Sequence, residues 1–371
     1  MHGPEQPSQA APGGSVAEIA TGRGPSGTPD VPTPDLADTA RLADLVRSKL
    51  EEQWAPRSGT LDSQVLDSQV LDSICRYALL PAGKLFRPVL LLESTTAVGG
   101  DVLHSLPAAA GAECGHVASL IHDDIIDGDD LRRGRPSVPS KYGIADAIVV
   151  GDTLIFQLFA NLAECRCAGV PDEHVVSALE AVARAGVDLC RGQALESELC
   201  GAPLLHIEPY VTIARLKTGA LFRGACECGA ILGGGKPHWV RQLARYGDNL
   251  GLAFQIRDDL LPYVSSTRIT GKQSASDAQN GRWTLPVILA YECAGPRDRA
   301  RISEALSGSG DPAEALLYLQ DVVTRTRSLG MAVEMAANYA EVARSALADL
   351  PSTPSRERLE YFAELVITRD R

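Results

Sequence analysis

Aromatic side chains are scarce: they make up 5% of the 371 residues, against 45% for hydrophobic residues as a whole. The core must therefore be aliphatic, built from Ala, Leu and Val, which favours helices over sheets. Basic charge is also short. The formal net charge is −12, which excludes a nucleic-acid partner that needs a cationic face. There are nine cysteines but no CxxC. The CxC pairs Cys165/Cys167 and Cys226/Cys228 fall in apolar helical stretches, where residues two apart point to different sides, so they make poor zinc ligands. They read as core thiols in a reducing compartment. Residues 1–35 contain no signal-peptide regions, and no uncharged apolar run reaches the roughly 20 residues of a membrane span. A soluble, cytoplasmic protein is expected.

Residues 1–35 are rich in Pro, Gly, Ser and Ala and read as a disordered tail. Leu36, Leu42, Leu45 and Val46 then start a helical stripe. Residues 61–73 carry a short repeat, Leu-Asp-Ser-Gln-Val twice and then Leu-Asp-Ser, with no function attached to it. Apolar residues at three- and four-residue spacing predict helices over 71–80, 85–98, 103–127, 144–167, 172–200, 207–232, 237–261, 283–294, 298–307, 312–328, 330–349 and 354–367. Asp311-Pro312-Ala313-Glu314 is a marked helix start. Residues 36–371 read as a single all-α domain, a bundle of many helices around a central cavity, with the last third as a subsidiary layer.

The densest chemistry lies at His122-Asp123-Asp124-Ile125-Ile126-Asp127, followed by Asp129, Asp130, Arg132, Arg133 and Arg135. Asp123 and Asp127 are four apart, so their carboxylates share one helical face and repel unless a cation intervenes. The apolar run Val117 to Ile121 sets them at the inner end of a buried helix, where charge is costly when unpaired. Hard carboxylate oxygens suit Mg²⁺. The alternative is a solvated face on which acids and arginines neutralise one another.

The longer string from Leu120 to Gly134 resembles the first aspartate-rich motif of the trans-prenyl diphosphate synthases, in particular the geranylgeranyl diphosphate synthases. Further segments resemble that family in its order: Gly83-Lys84-Leu85-Phe86-Arg87-Pro88, Val149-Val150-Gly151-Asp152, Gly192-Gln193-Ala194-Leu195-Glu196, Lys217-Thr218-Gly219, Phe254-Gln255-Ile256-Arg257-Asp258-Asp259, Gly271-Lys272, and Gly281-Arg282-Trp283-Thr284-Leu285-Pro286. The resemblance covers roughly residues 40–345. It implies the isoprenoid synthase fold, a homodimer, and Mg²⁺ held by Asp123, Asp124, Asp127, Asp258 and Asp259. Arg132, Lys217, Gln255, Lys272 and Arg282 would hold an allylic diphosphate. Gly83, Lys84, Arg87, His116 and Arg133 would hold isopentenyl diphosphate. Asp123, Asp124, Lys217, Thr218 and Gln255 would act on the reacting centre, and Gln193 would line the cavity near it.

The implied chemistry is ionisation of the allylic C–O bond, attack by the isopentenyl alkene, and loss of a proton to the released pyrophosphate. The family stops short products with bulky aromatics four and five residues before the first Asp; here Ser119 and Ala118 stand there. A product of C20 or longer is expected, with Cys114, Gly115 or Phe159 helping to form the floor. Two departures stand out. The fifth position of the second aspartate motif is Pro262, which has no ligand atom, and Pro139 stands where the family has a His. They keep open a class I terpene cyclase, a prenyltransferase to another acceptor, and a non-catalytic subunit. The complete set Lys84, Arg87, His116 and Arg133 argues for elongation, because a cyclase has no need of a second diphosphate pocket.

Overall fold

The structure is a computed structural model describing residues 34–56, 69–199, 206–264, 280–308 and 310–368. Residues 1–33 of the expected tail, residues 61–68 of the repeat, and Lys272 lie outside them. The described chain is all-α apart from one small hairpin. In order it forms α1 (Ala37–Gln53), α2 (Gln69–Leu79), α3 (Phe86–Ala97), α4 (Val102–Asp127), a two-stranded hairpin of β1 (Leu131–Arg132) and β2 (Arg135–Pro136), α5 (Val138–Tyr142), α6 (Ile144–Glu164) and α7 (Asp172–Leu199). Then follow α8 (Ile207–Ala214), a π turn (Arg215–Gly219), α9 (Ala220–Leu232), α10 (Pro237–Val264), α11 (Leu285–Cys293), α12 (Pro296–Ala305), α13 (Pro312–Arg325), α14 (Ser328–Ala346) and α15 (Pro354–Thr368).

Side-chain caps set several ends. Asp101 accepts from Leu103 N at 2.8 Å to start α4, and Asp311 accepts from Ala313 N at 3.1 Å to start α13, with Pro312 in its first turn. Gly128, at φ +67°, closes α4 by giving its N–H to the Asp124 carbonyl. Three details depart from the sequence expectation. The helix expected over 207–232 is interrupted by the π turn. The hairpin and α5 carry too few residues to show a period. The helix expected to stop at residue 261 runs on to Val264 with Pro262 inside it. Proline costs that helix one hydrogen bond, but Leu260 is fully buried and Gln320 Nε2 donates to the Pro262 carbonyl at 2.8 Å, which ties the last turn to α13.

The helices bury two apolar clusters. The larger joins α1 to α7, α9, α10, the C-terminal half of α14 and α15; the smaller joins α8, the end of α10, α11 to α13 and the start of α14. Four of the six phenylalanines pack together in the larger cluster: Phe86 meets Phe222 and Phe362 edge-to-face and stacks on Phe254, which tilts against Phe222. A buried ion pair fastens the last helix there: Arg358 grips Glu93 with Nε at 2.7 Å and Nη2 at 3.1 Å. Cys75, Cys114, Cys165, Cys226 and Cys228 are core thiols as expected, whereas Cys167, Cys190 and Cys293 are exposed.

Helix α6 packs Ala147, Val150, Gly151, Leu154 and Leu162 inward but leaves Ile144, Ile148, Val149 and Phe156 exposed, Phe156 at 73%. It is long and apolar enough to cross a membrane by length and composition alone. Its inner face is core, and its outer face is an apolar surface of the kind that marks an interface.

Candidate active site

Three of the acids expected to hold metal, Asp123, Asp124 and Asp127, sit in and just before the last turn of α4. Carboxylates there oppose the helix dipole, and no basic residue in that turn offsets them. Asp124 is 2% exposed and ion-paired with Arg132, whose Nε lies 2.8 Å from Oδ1. Asp127 pairs with Arg282. Asp123 is the least satisfied: its nearest cation is Lys217 Nζ at 3.9 Å, and burial raises its pKa despite that cation. Glu196 joins the group from α7, 2.6 Å from Lys217 and 4.0 Å from Arg282. With Asp124 and Arg132 paired, Asp123, Asp127 and Glu196 face Lys217 and Arg282, which leaves that group one negative charge in excess. Among the described residues no three His, Cys, Asp or Glu side chains converge as a protein-only metal cage. Mg²⁺ commonly takes one or two carboxylates and completes its shell with substrate phosphate and water. The surplus charge and the poorly compensated Asp123 fit that mode.

Lys217 and Thr218 reach the cluster from the π turn. Such turns bulge a helix locally and recur at functional sites. Neighbouring glycines admit this one. A Cβ on Gly192 of α7 would fall 2.6 Å from Lys217 N, and one on Gly251 of α10 would fall 2.7 Å from the Gly219 Cα. Helices α7 and α10 therefore close directly on the turn that carries Lys217 and Thr218.

The second aspartate segment lies across the π turn. Thr218 Oγ1 donates to Gln255 Oε1 at 2.6 Å, Gln255 Nε2 donates to Asp259 Oδ1 at 2.8 Å, and the Tyr210 hydroxyl donates to Asp259 Oδ2 at 2.8 Å. Asp259, expected as a metal ligand, is 8% exposed and has both oxygens accepting hydrogen bonds from protein donors. Adjacent residues on a helix point about 100° apart, which separates it from the half-buried Asp258. Tyr210 and Glu196 were not expected at the site. Glu196 had a signal in its motif, while Tyr210 had none.

The cations expected for isopentenyl diphosphate converge at the other side of the mouth. Arg133 (φ +52°) and Gly134 (φ +75°) form a two-residue hairpin turn with both φ positive. A non-glycine there carries strain, and the turn sends Arg132 to Asp124 while Arg133 turns to Gly83. A Cβ on Gly83 would sit 2.5 Å from the Arg133 guanidinium, so Gly83 is the floor on which that fork rests. Arg87 Nη1 lies 3.4 Å from His116 Nε2, and its guanidinium stacks 4.7 Å from the Phe222 ring. Arg87 Nε, His116 Nδ1 and Glu113 Oε1 are sealed from solvent without hydrogen-bond partners. Burial pushes the Arg87 pKa down to about 10. Burial, reinforced by Arg87 and Arg133, pushes His116 well below 6.5. Glu113 is pushed upward by burial. The unpaired nitrogens Arg87 Nε and His116 Nδ1 suit an incoming anion, whereas the Glu113 carboxyl oxygen can only accept. Lys84 is exposed at the rim.

Behind the mouth lies a narrow apolar cavity of about 40 Å³, well below the volume of a filled small-molecule site. Ala108, Ala112 and Gly115 line one wall, Leu158 and Leu162 another, and Leu91, Val182, Ala185, Leu221, Gly224, Ala225 and Cys228 the rest. Of the expected floor residues, Gly115 lines it. Cys114 and Ala118 do not: they are buried on other sides of α4. Phe159 lies one residue round α6 from Leu158 and is also absent from the wall. Ser119, on the Gly115 face, donates its hydroxyl to the His116 carbonyl at 2.7 Å. Helices α4 and α6 run antiparallel: Gly151 abuts His122, Leu158 abuts Gly115, and Asn161 abuts Gly111. Leu162 therefore lies at the depth of Ala110 and Gly111. With 1.5 Å of rise per residue, Ala112 is about 17 Å and Ala108 about 22 Å below Asp123.

A family model for polyprenyl synthetase matches residues 68–322. The chain is 37% identical over 297 residues to a short chain isoprenyl diphosphate synthase of Methanothermobacter thermautotrophicus, covering 79% of this chain and 89% of the relative. It is 32% identical to a geranylgeranyl diphosphate synthase of Methanosarcina mazei, covering 80% and 88%. Among solved structures, geranylgeranyl pyrophosphate synthetase from Pyrococcus horikoshii superposes with a TM-score of 0.81 at 33% identity, covering 90% of this chain and 98% of that one. A polyprenyl synthase from Caulobacter crescentus, complexed with calcium and isoprenyl diphosphate, superposes at 0.80 with 29% identity, covering 91% and 99%. The matches span the helical core and the string of charged segments together, and the chain is a member of the polyprenyl synthetase family of isoprenyl diphosphate synthases.

Proposed function

We propose that this protein is a Mg²⁺-dependent prenyltransferase that condenses isopentenyl diphosphate with allylic diphosphates to a C20, geranylgeranyl, product. The observation that carries the reading is the pairing of two separate cation groups at the mouth of one apolar tunnel. Arg132, Lys217 and Arg282 stand among carboxylates on one side. Arg87 and Arg133, with the neutral imidazole of His116 beside Arg87, stand on the other.

Bound Mg²⁺, held by Asp123 and Asp127 with Asp258 opposite, would neutralise charge on the leaving pyrophosphate. Lys217 and Arg132 add fixed positive charge at the same oxygens, so the allylic C–O bond can break. Thr218 and Gln255 present oxygens beside the electron-deficient carbon. Arg87, His116 and Arg133 hold the isopentenyl diphosphate so that its alkene meets that carbon, which removes much of the entropic cost of bringing two reactants together. A C–C bond forms, and the released pyrophosphate takes the proton. Tunnel depth sets the length. Four C–C bonds of about 1.5 Å give each isoprene unit about 5 Å when extended, so a four-unit chain running along α4 from Asp123 would reach the depth of Ala108.

The reaction test is pyrophosphate release. It should require Mg²⁺, an allylic substrate and isopentenyl diphosphate together. Release from the allylic substrate alone would point to a cyclase. Gly83→Ala should raise the KM for isopentenyl diphosphate about tenfold or more by displacing Arg133, with the allylic KM nearly unchanged; equal effects on both would place Arg133 elsewhere. The exposed apolar face of α6 supports a homodimer. Light scattering should read twice the 39.3 kDa chain mass, and a monomer mass would remove that assignment.

A further inference from the structure

We propose that Tyr210 and Asp259 are positioning residues that fix which end of the Gln255 amide faces the reacting carbon. The inference rests on the elongation reading above and adds a determinant to it. An amide presents donor and acceptor ends of nearly equal shape, so its orientation is decided by its partners. Here one partner is a carboxylate, which accepts hydrogen bonds and has none to give. Gln255 must therefore turn Nε2 to Asp259 Oδ1, at 2.8 Å. Asp259 is held in turn from its other side by the Tyr210 hydroxyl at 2.8 Å, and both residues are buried, at 8% and 6% exposure.

With Nε2 committed, Oε1 faces the opposite way, and Thr218 Oγ1 donates to it at 2.6 Å. That bond uses the only hydroxyl hydrogen of Thr218. What remains at this point is a pair of oxygen atoms with lone pairs, next to the Lys217–Asp123 contact. Their dipoles favour positive charge. A flipped amide would turn N–H groups to the same place and oppose it. The chain Tyr210–Asp259–Gln255–Thr218 thus selects the sign of the field at the reacting carbon. It runs from α8 through α10 to the π turn, so rigid elements hold each member. It also gives Asp259 a role that leaves Asp258 as the acid of this segment directed to metal.

The test is a double-mutant cycle on steady-state elongation. Tyr210→Phe keeps the ring and removes one hydroxyl. Partners of this kind typically cost about 10–100-fold when lost, and the loss should fall on kcat, with both KM values and the half-saturating Mg²⁺ concentration near those of the unmodified protein. Gln255→Ala should lower kcat at least as far. Adding Tyr210→Phe to Gln255→Ala should change nothing further, because the hydroxyl acts through the amide. Multiplying effects would overturn the proposal, as would an unchanged kcat in Tyr210→Phe. Asp259→Asn supplies a second entry to the cycle should Tyr210→Phe melt below assay temperature. A raised Mg²⁺ requirement in Asp259→Asn would make that carboxylate a metal ligand and equally overturn the proposal. Failure of the unmodified protein to elongate any primer would instead remove the elongation reading beneath it.

Discussion

Replacing Asp123 by Asn should remove at least about 99% of elongation activity while leaving the protein as stable as before or more so. The activity loss follows from the position of Asp123: it is the carboxylate of α4 least satisfied by protein cations, so the charge it offers a metal–diphosphate complex is not already spent. Removing one such electrostatic contribution typically costs about 10²–10³-fold in kcat. The stability gain follows from two unfavourable features of the ionised group. It lies near the C-terminal end of α4, where a negative charge opposes the helix dipole at a cost of about 0.3–1 kcal/mol, and burial raises its pKa. The sign follows: a carboxyl whose native pKa lies above its unfolded value loses native stability as pH rises through that interval, because the native state must give up a proton it holds more tightly. Asparagine never ionises and avoids that loss. Thermal melting at neutral pH and kcat at saturating Mg²⁺ check the two halves. A variant that loses both stability and activity would show Asp123 to be structural.

Ala112→Phe should shorten the main product to C15, and Leu162→Ala should lengthen it beyond C20. Ala112 lies on the tunnel wall about 17 Å below Asp123, just past the end of a three-unit chain, so a benzyl group there closes the lower part. Leu162 is fully buried on α6 at the depth of Ala110 and Gly111, below Ala112 in the same cavity. Truncating it opens the floor at a cost in stability of about 2–5 kcal/mol. Ala118→Phe is the control. Ala118 is 1% exposed and off the cavity wall, so the larger ring should destabilise the protein without a matched change in length. Chromatography of the dephosphorylated products reads all three. A shortened product from Ala118→Phe with none from Ala112→Phe would move the tunnel to the other side of α4.

The sequence carried the α4 acids well because their signal is local: four-residue spacing, an apolar approach and a glycine stop at Gly128. It carried the tunnel wall less well. Counting four and five residues back from Asp123 leads to Ser119 and Ala118, but only the Ser119 direction continues down the Gly115–Ala112–Ala108 stripe. A one-residue offset turns the side chain by about 100°. The π turn was not legible because it depends on partners: Gly192 and Gly251 are distant in sequence and reveal their use only when α7 and α10 meet the turn. The Asp258-Asp259 pair reads as two equal acids until Tyr210, 49 residues earlier, is seen to claim one of them. Pro262 is resolved in the same way. Its place is taken up by packing against Gln320, and the acids of α4 with Glu196, Lys217 and Arg282 carry most of the charge at the mouth.

The central claim is that two diphosphates are joined in one tunnel that ends at four isoprene units. Mass spectrometry of the dephosphorylated products tests it most directly, after incubation with Mg²⁺, isopentenyl diphosphate and each of the C5, C10 and C15 allylic primers. Every accepted primer should converge on a C20 alcohol. Products that stop at C15 with Ala112, Gly115 and Leu162 unaltered, or primers that are consumed without gaining a five-carbon unit, would contradict it.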